Sequence, residues 1–248
     1  MQKLALVTGG TRGIGFATTL RLLQQGHRVI ACSRTGELDG QVPHEFLPHL
    51  HVIAFDLEDV GDIEAFAQRI KNEFGDVQIL VSNAGVSLKN EQGHSNTSLT
   101  TGVQEFHRTM QINALSPMLL TQQLLPGMQK LGWGRIVNVA SLAGRSKTAV
   151  SGPAYMMSKA ALLAWTRAVA LEMAPYGIAC NAVAPGRVQT KMAMQGGEEV
   201  NERIAKSIPI GRIGQAHEIA YAVAMLCTDE AAFTIGACLD INGGVFMN

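Results

Sequence analysis

Tyr155 and Lys159 stand four residues apart in the segment 151–165. On a helix this spacing places the two side chains one turn apart on the same face. A positive charge a few ångströms from a phenol favours the phenolate, which lowers the pKa of the tyrosine from about 10. A tyrosine placed in this way can act as an acid. The same spacing also fits two ordinary residues of an amphipathic helix, so the rest of the chain must decide between the two interpretations.

A glycine-rich turn, TGGTRGIG, covers residues 8–15. It follows an apolar run at residues 4–8, which is typical of a strand buried on both faces, and it opens a segment with helical spacing. Glycines at this place allow a tight turn and let backbone N–H groups approach a pyrophosphate at the helix N-terminus. The position of the turn therefore favours dinucleotide binding over a merely flexible connection.

Strand-like and helix-like segments alternate along the chain. Repeated strand–helix–strand units predict a parallel sheet with helices on both faces. We therefore expect one doubly wound, Rossmann-type α/β domain over residues 1–248, with a seven-stranded parallel sheet. The predicted strands are 3–8, 27–32, 51–55, 77–82, 135–140, 178–184 and 238–241. The predicted helices are 14–25, 62–74, 99–130 with a kink at Pro117, 153–175 and 218–227, and residues 190–207 are expected to be less regular.

The composition is that of a globular protein with a well-buried core, since 47% of the residues are hydrophobic and 16% are charged. Twenty basic and twenty acidic residues cancel, so no nucleic acid partner is expected. The four cysteines form no C-x-x-C pair, which predicts reduced thiols and no metal site. The chain opens directly into a strand and has no apolar run near the ~18 residues of a membrane span, so we expect a cytoplasmic protein without a membrane partner.

The glycine motif has the form T-G-x-x-x-G-x-G, and it resembles that of the short-chain dehydrogenase/reductase family. The resemblance recurs in order along nearly the whole chain. Its further motifs are S-N-A-G at 82–85, where serine replaces the first asparagine of the family's N-N-A-G, Asn113 on the long helix, Ser141 after strand five, Tyr155 with Lys159 as Y-x-x-x-K, and Pro185-Gly186 after strand six. One match is weak evidence, whereas six in the right order are specific.

This resemblance implies carbonyl chemistry with a nicotinamide cofactor. Tyr155 would donate a proton to the carbonyl oxygen as hydride arrives on the carbon. Lys159 would lower the pKa of the tyrosine and hold the nicotinamide ribose. Ser141 would hydrogen-bond the same carbonyl oxygen, and Asn113 would hold a water in the relay that reprotonates the tyrosine.

The end of strand two predicts which cofactor is preferred. A free ribose hydroxyl usually meets an Asp or Glu about 20 residues after the glycine motif. Here that place holds Ser33 and Arg34. An arginine suits a 2′-phosphate, and Arg12 resembles a second phosphate contact, so we predict NADP(H) over NAD(H). Glu37 and Asp39, slightly further on, count against this preference. The cofactor contacts that the resemblance implies are Gly9, Thr11, Arg12, Gly13, Ile14, Gly15, Ser33, Arg34, Asp56, Leu57, Asn83, Ala84, Gly85, Tyr155, Lys159, Pro185, Gly186, Val188 and Thr190.

The substrate is less constrained than the reaction. We expect pocket walls from residues 86–101, 143–153 and 187–207, the last being a mobile lid because it contains methionines and paired glycines at 196 and 197. The run 209–244 resembles the β-ketoacyl-carrier-protein reductases, which implies a 3-oxoacyl thioester and a carrier-protein partner.

Two alternatives stay open. Few basic residues stand where a carrier protein would dock, and the loop 88–101 is longer than in those enzymes, so a stand-alone carbonyl reductase or alcohol dehydrogenase acting on a small-molecule carbonyl or alcohol is one alternative. A catalytically silent NADP(H)-binding sensor is the other, although Tyr155 and Lys159 are both present.

Ala160, Ala164 and Ala168 form a stripe of small residues on the helix predicted to carry Tyr155. Such a smooth stripe lets another helix approach closely. The resembling family pairs this helix and the preceding long helix across subunits, so the resemblance implies a homotetramer.

Overall fold

The computed structural model describes residues 2–146, 150–194 and 197–247. These residues form an α/β fold around one sheet of seven parallel strands, in the order β3-β2-β1-β4-β5-β6-β7, which confirms the predicted fold class. The strands are β1 (Leu4–Thr8), β2 (Arg28–Ser33), β3 (Leu50–Ala54), β4 (Ile79–Ser82), β5 (Gly134–Val139), β6 (Ile178–Pro185) and β7 (Cys238–Ile241). The strand order reverses between β1 and β4, and a doubly wound sheet opens a ligand crevice at such a point.

Alternating side chains of the strands pack into two apolar clusters, one on each face of the sheet. Leu4 and Leu6 of β1 belong to one cluster, and Ala5 and Val7 belong to the other. This period of two explains why β1 is a continuous apolar run. The helices that cover the faces are α1 (Gly13–Gln24), α2 (Ile63–Phe74), α3 (Val103–Met110), α4 (Ser116–Leu131), α5 (Pro153–Met173), α6 (Lys191–Met194), α7 (Glu198–Ser207) and α8 (Ala216–Leu226).

The long helical stretch differs from its prediction in two ways. It begins at Val103 rather than at residue 99, and its interruption precedes Pro117. Gln111–Leu115 form a π-helix between α3 and α4, and Pro117 is the second residue of α4. Proline is tolerated in the first turn of a helix but has no N–H for the carbonyl of Asn113, four residues earlier. The backbone therefore changes its hydrogen-bonding pattern before the proline instead of kinking at it.

The remaining boundaries agree with the predictions to within a few residues. Helix α5 begins at Pro153 as expected, but it ends at Met173, and Ala174–Tyr176 form a short 3-10 turn around Pro175. The less regular region contains two helices, α6 and α7, and Gly197 precedes α7 with φ +85°. The first glycine of the predicted pair, Gly196, lies outside the described residues. Across the described ranges, none of the helices has the length and apolarity required to cross a bilayer.

Candidate functional site

The carboxyl ends of β1, β2, β4, β5 and β6 open into one cavity of about 700 Å³. Its position agrees with the crevice expected where the strand order reverses. The predicted site residues that line it are Gly9, Arg12, Gly13, Ile14, Ser33, Arg34, Asp56, Leu57, Asn83, Ala84, Gly85, Ser141, Tyr155, Lys159, Pro185, Gly186, Val188 and Thr190. Three predicted residues, Thr11, Gly15 and Asn113, are buried behind the cavity wall instead.

The glycine turn between β1 and α1 leaves no room for a side chain at Gly9 or Gly15. Gly9 and Gly13 have φ angles of +61° and +53°, a region that favours glycine. A Cβ on Gly15 would overlap the carbonyl oxygen of Gly9 and would lie 2.5 Å from Asn83 Nδ2. The N-cap residue of α1, Arg12, makes no side-chain hydrogen bond to the first turn. The N-terminal N–H groups of α1 thus have no side-chain cap, and the turn fits the pyrophosphate of a dinucleotide.

A clamp formed by Thr8 and Asn83 joins the ends of β1 and β4. Thr8 Oγ1 accepts the backbone N–H groups of Asn83 and Ala84 at 3.0 and 3.1 Å. Asn83 Nδ2 donates to the carbonyl oxygens of Thr8 and Gly9 at 2.9 and 3.2 Å. The clamp holds the two strand ends at a fixed distance across the crevice. This role of Thr8 could not be predicted from the sequence, since its partners lie 75 and 76 residues away along the chain.

Ser141 and Tyr155 meet at the end of β5. Ser141 follows the strand directly, and its Oγ accepts the N–H of Ala143 at 3.1 Å, which orients the hydroxyl. Burial raises the pKa of Tyr155, and a hydrogen bond from Ser141 acts in the opposite direction. The predicted lowering of the Tyr155 pKa is therefore wrong for this structure, because the loss of solvation outweighs the stabilisation of the phenolate.

Lys159 is 3% exposed and lies one helical turn beyond Tyr155 on α5, as the spacing predicts. Its Nζ donates to the carbonyl oxygen of Val139 at 2.9 Å and lies 5.8 Å from the centroid of the Tyr155 ring. Burial lowers the pKa of Lys159 to about 8. Burial thus destabilises the ammonium, and its proton leaves at a lower pH than that of an ordinary lysine.

The side-chain amide of Asn113 is hydrogen-bonded to other groups of the protein. Oδ1 accepts the N–H of Val86 at 2.8 Å, and Nδ2 donates to the Val86 carbonyl at 2.9 Å and to Ser158 Oγ at 3.0 Å. Ser158 Oγ in turn donates to the carbonyl of Tyr155 at 2.8 Å. Because both Nδ2 protons are used, the side chain positions the loop after β4 and helix α5. A water in the predicted relay would use the second lone pair of Oδ1 or the backbone carbonyl, toward which Pro117 offers no N–H.

Gly85 lies beside the side chains of Asn113 and Lys159. A Cβ on this residue would stand 3.1 Å from Asn113 Oδ1 and 3.3 Å from Lys159 Nζ. The glycine that ends the S-N-A-G motif therefore leaves space beside the cavity for the Asn113 amide and the Lys159 ammonium.

Arg34, which follows β2, and Arg12, in the glycine turn, line the cavity, and no carboxylate among the described residues 34–43 does so. The side chains of Arg12 and Arg34 are exposed and make no ion pair or hydrogen bond with the described residues. Asp39 accepts an ion pair from Lys191 Nζ at 2.7 Å, and neither Asp39 nor Glu37 lines the cavity. The two carboxylates that counted against an NADP(H) preference thus lie outside the lining of the cavity.

The opposite end of the cavity is walled by loops and by the region 187–207. Of the first two predicted walls, only residues 86–89 and 150–151 line it within the described ranges, and residues 147–149 lie outside those ranges. The third wall contributes residues 187–188, 190–193, 204 and 207. Val245, after β7, also lines this end and was not predicted. The position of Val245 depends on how the residues after β7 fold back onto the cavity, and no local sequence motif predicts this contact.

Comparisons with known proteins agree over nearly the whole chain. Residues 9–246 match a family model described as enoyl-(acyl carrier protein) reductase. The chain is 38% identical to Protein FixR of Bradyrhizobium diazoefficiens, over 98% of this chain and 86% of that protein. It is 36% identical to 3-oxoacyl-[acyl-carrier-protein] reductase FabG of Vibrio cholerae, over 99% and 98% of the two chains. It is 34% identical to acetoacetyl-CoA reductase of Shinella zoogloeoides, over 99% of both chains.

Proposed function

We propose, on the premise that this chain belongs to the short-chain dehydrogenase/reductase family, that it reduces a ketone or 3-oxoacyl thioester to the hydroxy product with NADPH. The observation that carries the proposal is the convergence of Ser141, Tyr155 and Lys159 on the same cavity as the glycine turn. An acid, a hydrogen-bond donor and a cation are the groups that carbonyl reduction requires.

When bound, the cofactor supplies the hydride. Tyr155 is placed to supply the proton, because its phenol lies in the cavity beside Ser141 and on the same helix face as Lys159. Ser141 can hold the carbonyl oxygen near that proton. Lys159, with its pKa of about 8, is largely protonated at neutral pH and can stabilise the phenolate as the proton leaves. Asn113 holds the loop and the helix that carry these groups in place.

NADPH is the proposed cofactor because Arg12 and Arg34 line the cavity without a carboxylate partner. A guanidinium in this state can offer several charge-assisted hydrogen bonds to a 2′-phosphate. An acidic side chain at this place would instead favour the free hydroxyl of NADH.

The 3-oxoacyl thioester is proposed from the names of relatives, which include reductases of 3-oxoacyl-carrier-protein and of acetoacetyl-CoA. The matching family description names an enoyl reductase, which acts on a carbon–carbon double bond. The pairing of Tyr155 with Ser141 favours the carbonyl, since two donors converge where an oxygen atom would develop negative charge.

Oxidation of NADPH by a matched panel tests this proposal. The panel contains an acetoacetyl thioester, the corresponding crotonyl thioester, and simple and bulky ketones, each repeated with NADH. The proposal expects turnover of carbonyl compounds with NADPH and none of the crotonyl compound. Turnover of the crotonyl thioester alone would assign enoyl reduction instead, and tight NADPH binding without turnover would assign a sensor.

The proposal extends to a cytoplasmic homotetramer built on one domain with residues 187–207 as its substrate lid. Three cysteines, Cys32, Cys180 and Cys227, are buried free thiols, which supports a reducing compartment. The alanine stripe of α5 is exposed, and Leu171 on the same helix is 81% exposed, which supports a subunit contact on α5. The mass of the protein in solution tests the assembly, and a monomer would contradict it.

A further inference from the structure

We propose that Lys89 and Arg187 form a binding site for an oxyanion of the carbonyl substrate, so that the preferred substrate is negatively charged. The inference rests on the proposed function and specifies its substrate class. The oxyanion is either a carboxylate close to the ketone or the phosphate of a pantetheine arm, and the same two side chains suit both chemically.

Lys89 is held at the substrate end by neutral groups. Its Nζ donates to Ser95 Oγ at 2.7 Å and to the carbonyl oxygen of Val150 at 3.2 Å. Ser95 Oγ also donates to that carbonyl at 2.9 Å, so the three groups form a small network beside the start of the Tyr155 helix. An ammonium has three protons to donate, and these contacts use two of them. No described residue accepts the third proton, and Lys89 lines the cavity, so this proton can be donated to a group there.

Arg187 approaches the same end from the lid. Its Nε donates to Asn201 Oδ1 of α7 at 2.9 Å, and its Nη2 donates to the carbonyl oxygen of Ala193 at 2.5 Å. Its Nη1 has no partner among the described residues, and the side chain lines the cavity. The guanidinium is therefore fixed by the two lid helices, with donors left for a ligand.

The two cations lie close enough to repel each other. Burial, and then the positive charge of Arg187, lower the pKa of Lys89, and burial also lowers the pKa of Arg187. Neither side chain forms an ion pair within the described ranges. Two partly buried cations that line the same cavity and repel each other, without a carboxylate partner among the described residues, are stabilised when an anion binds near both.

The charge of the whole lining supports the same conclusion. Seven Lys or Arg side chains and two carboxylates line the cavity among the described residues, although the whole chain carries twenty of each sign. Five of the seven have another partner or role: Arg12 and Arg34 suit the 2′-phosphate, Lys159 serves the chemistry, Arg108 pairs with Glu58, and Lys191 pairs with Asp39. Only Lys89 and Arg187 remain, and both lie at the substrate end.

Matched substrates test the pair. Acetoacetate is compared with its methyl ester, and acetoacetyl phosphopantetheine with the neutral acetoacetyl N-acetylcysteamine thioester. Each is assayed with the wild type, Lys89→Gln, Arg187→Gln and the double variant. Lys206→Gln is the control, because Lys206 is an exposed cation on α7 that does not line the cavity.

The expected result is a ratio of kcat/KM, charged over neutral substrate, that falls by about tenfold or more in each cavity variant, mainly through KM. The control should keep the wild-type ratio. An advantage confined to acetoacetate places the anion next to the ketone, whereas one confined to phosphopantetheine assigns it to the arm; both support the site. Equal use of charged and neutral substrates, or equal losses for both in the variants, would overturn it.

Calorimetric titration with acetoacetate and with phosphopantetheine separates this inference from the proposed function. If no ketone is reduced, the proposed function fails, but at least one of the two anions should still bind the wild type and lose affinity in the double variant. Arg187→Lys keeps the charge and distinguishes a lost anion contact from a disturbed lid. Equal binding of both anions by the wild type and the folded double variant would refute the anion site.

Discussion

The cofactor end and the substrate end of the cavity are shaped by different kinds of contact. At the cofactor end, main-chain groups and glycines set the shape, and the clamp of Thr8 and Asn83 joins two adjacent strand ends. At the substrate end, the long side chains of Lys89 and Arg187 bridge loops and short helices. On the proposed function, main-chain contacts at the first end suit the pyrophosphate that NADPH and NADH share, whereas the ligand of the second end would change with a few side chains. On the proposed function, substrate identity would therefore be set by the loops and short helices at the substrate end.

Tyr155→Phe tests whether the chemistry can be removed without disturbing the cofactor end. Turnover should fall by about 10²–10⁴-fold, because the general acid is lost while the backbone contacts are kept. Steady-state kinetics measures the loss, and NADPH fluorescence titration serves as the control for binding. Near-wild-type turnover would remove Tyr155 from its assigned role.

Gly15→Ala should damage the cofactor end alone. The new Cβ would overlap the Gly9 carbonyl oxygen and press on Asn83, so we expect weaker NADPH binding and a loss of about 1–3 kcal/mol in unfolding free energy. Gly61→Ala is the matched control, since nothing lies within 4 Å of the position that its new methyl group would take and its φ is not in the left-handed region. Denaturant unfolding and NADPH titration measure both variants. An equal, small effect of the two substitutions would contradict the close approach at Gly15.

Lys159 lies between the two ends, and its burial predicts a pH dependence of stability. Its pKa is about 8 in the folded protein against an ordinary value of 10.5, so between these values the unfolded chain keeps a proton that the folded protein has lost. The contribution of Lys159 to the free energy of unfolding therefore rises with pH, by at most about 1.4 kcal/mol per pH unit.

The comparison of wild type with Lys159→Met isolates that contribution. The unfolding free energy of the wild type minus that of the variant should increase from pH 8 toward pH 10. The buried thiols Cys32, Cys180 and Cys227, whose pKa values are raised to about 12, act in the opposite sense but are common to both proteins. A difference that stays flat over this range would show that the ammonium is well solvated.

Arg34→Ala tests the proposed preference for NADPH over NADH, and it should have the smallest effect of these variants. An exposed guanidinium that contacts a phosphate contributes about 1 kcal/mol, so NADPH affinity should fall by about threefold to tenfold while NADH affinity stays the same. Arg203→Ala, at an exposed position outside the cavity lining, is the control. Parallel losses for the two cofactors would show that Arg34 does not recognise the 2′-phosphate.

The fold and the cofactor end could be predicted because their signals are local. Apolar runs such as Leu4–Thr8 mark buried strands, and the glycine turn follows β1 directly in the chain. The upward shift of the Tyr155 pKa could not be predicted, because it depends on how deeply the folded chain buries the phenol. The same is true of the approach of Arg187 to Lys89, which are 98 residues apart in the sequence. Such contacts arise only when the strand ends are brought together.

Transfer of deuterium from NADPH labelled at the reactive carbon of its nicotinamide tests carbonyl reduction most directly. The protein is incubated with the labelled cofactor and the ketone or thioester that it turns over best, and the product is examined by mass spectrometry and NMR. The account predicts one deuterium on the former carbonyl carbon, and its loss in Tyr155→Phe. A product without deuterium at that carbon, or with deuterium across a reduced carbon–carbon double bond, would contradict it.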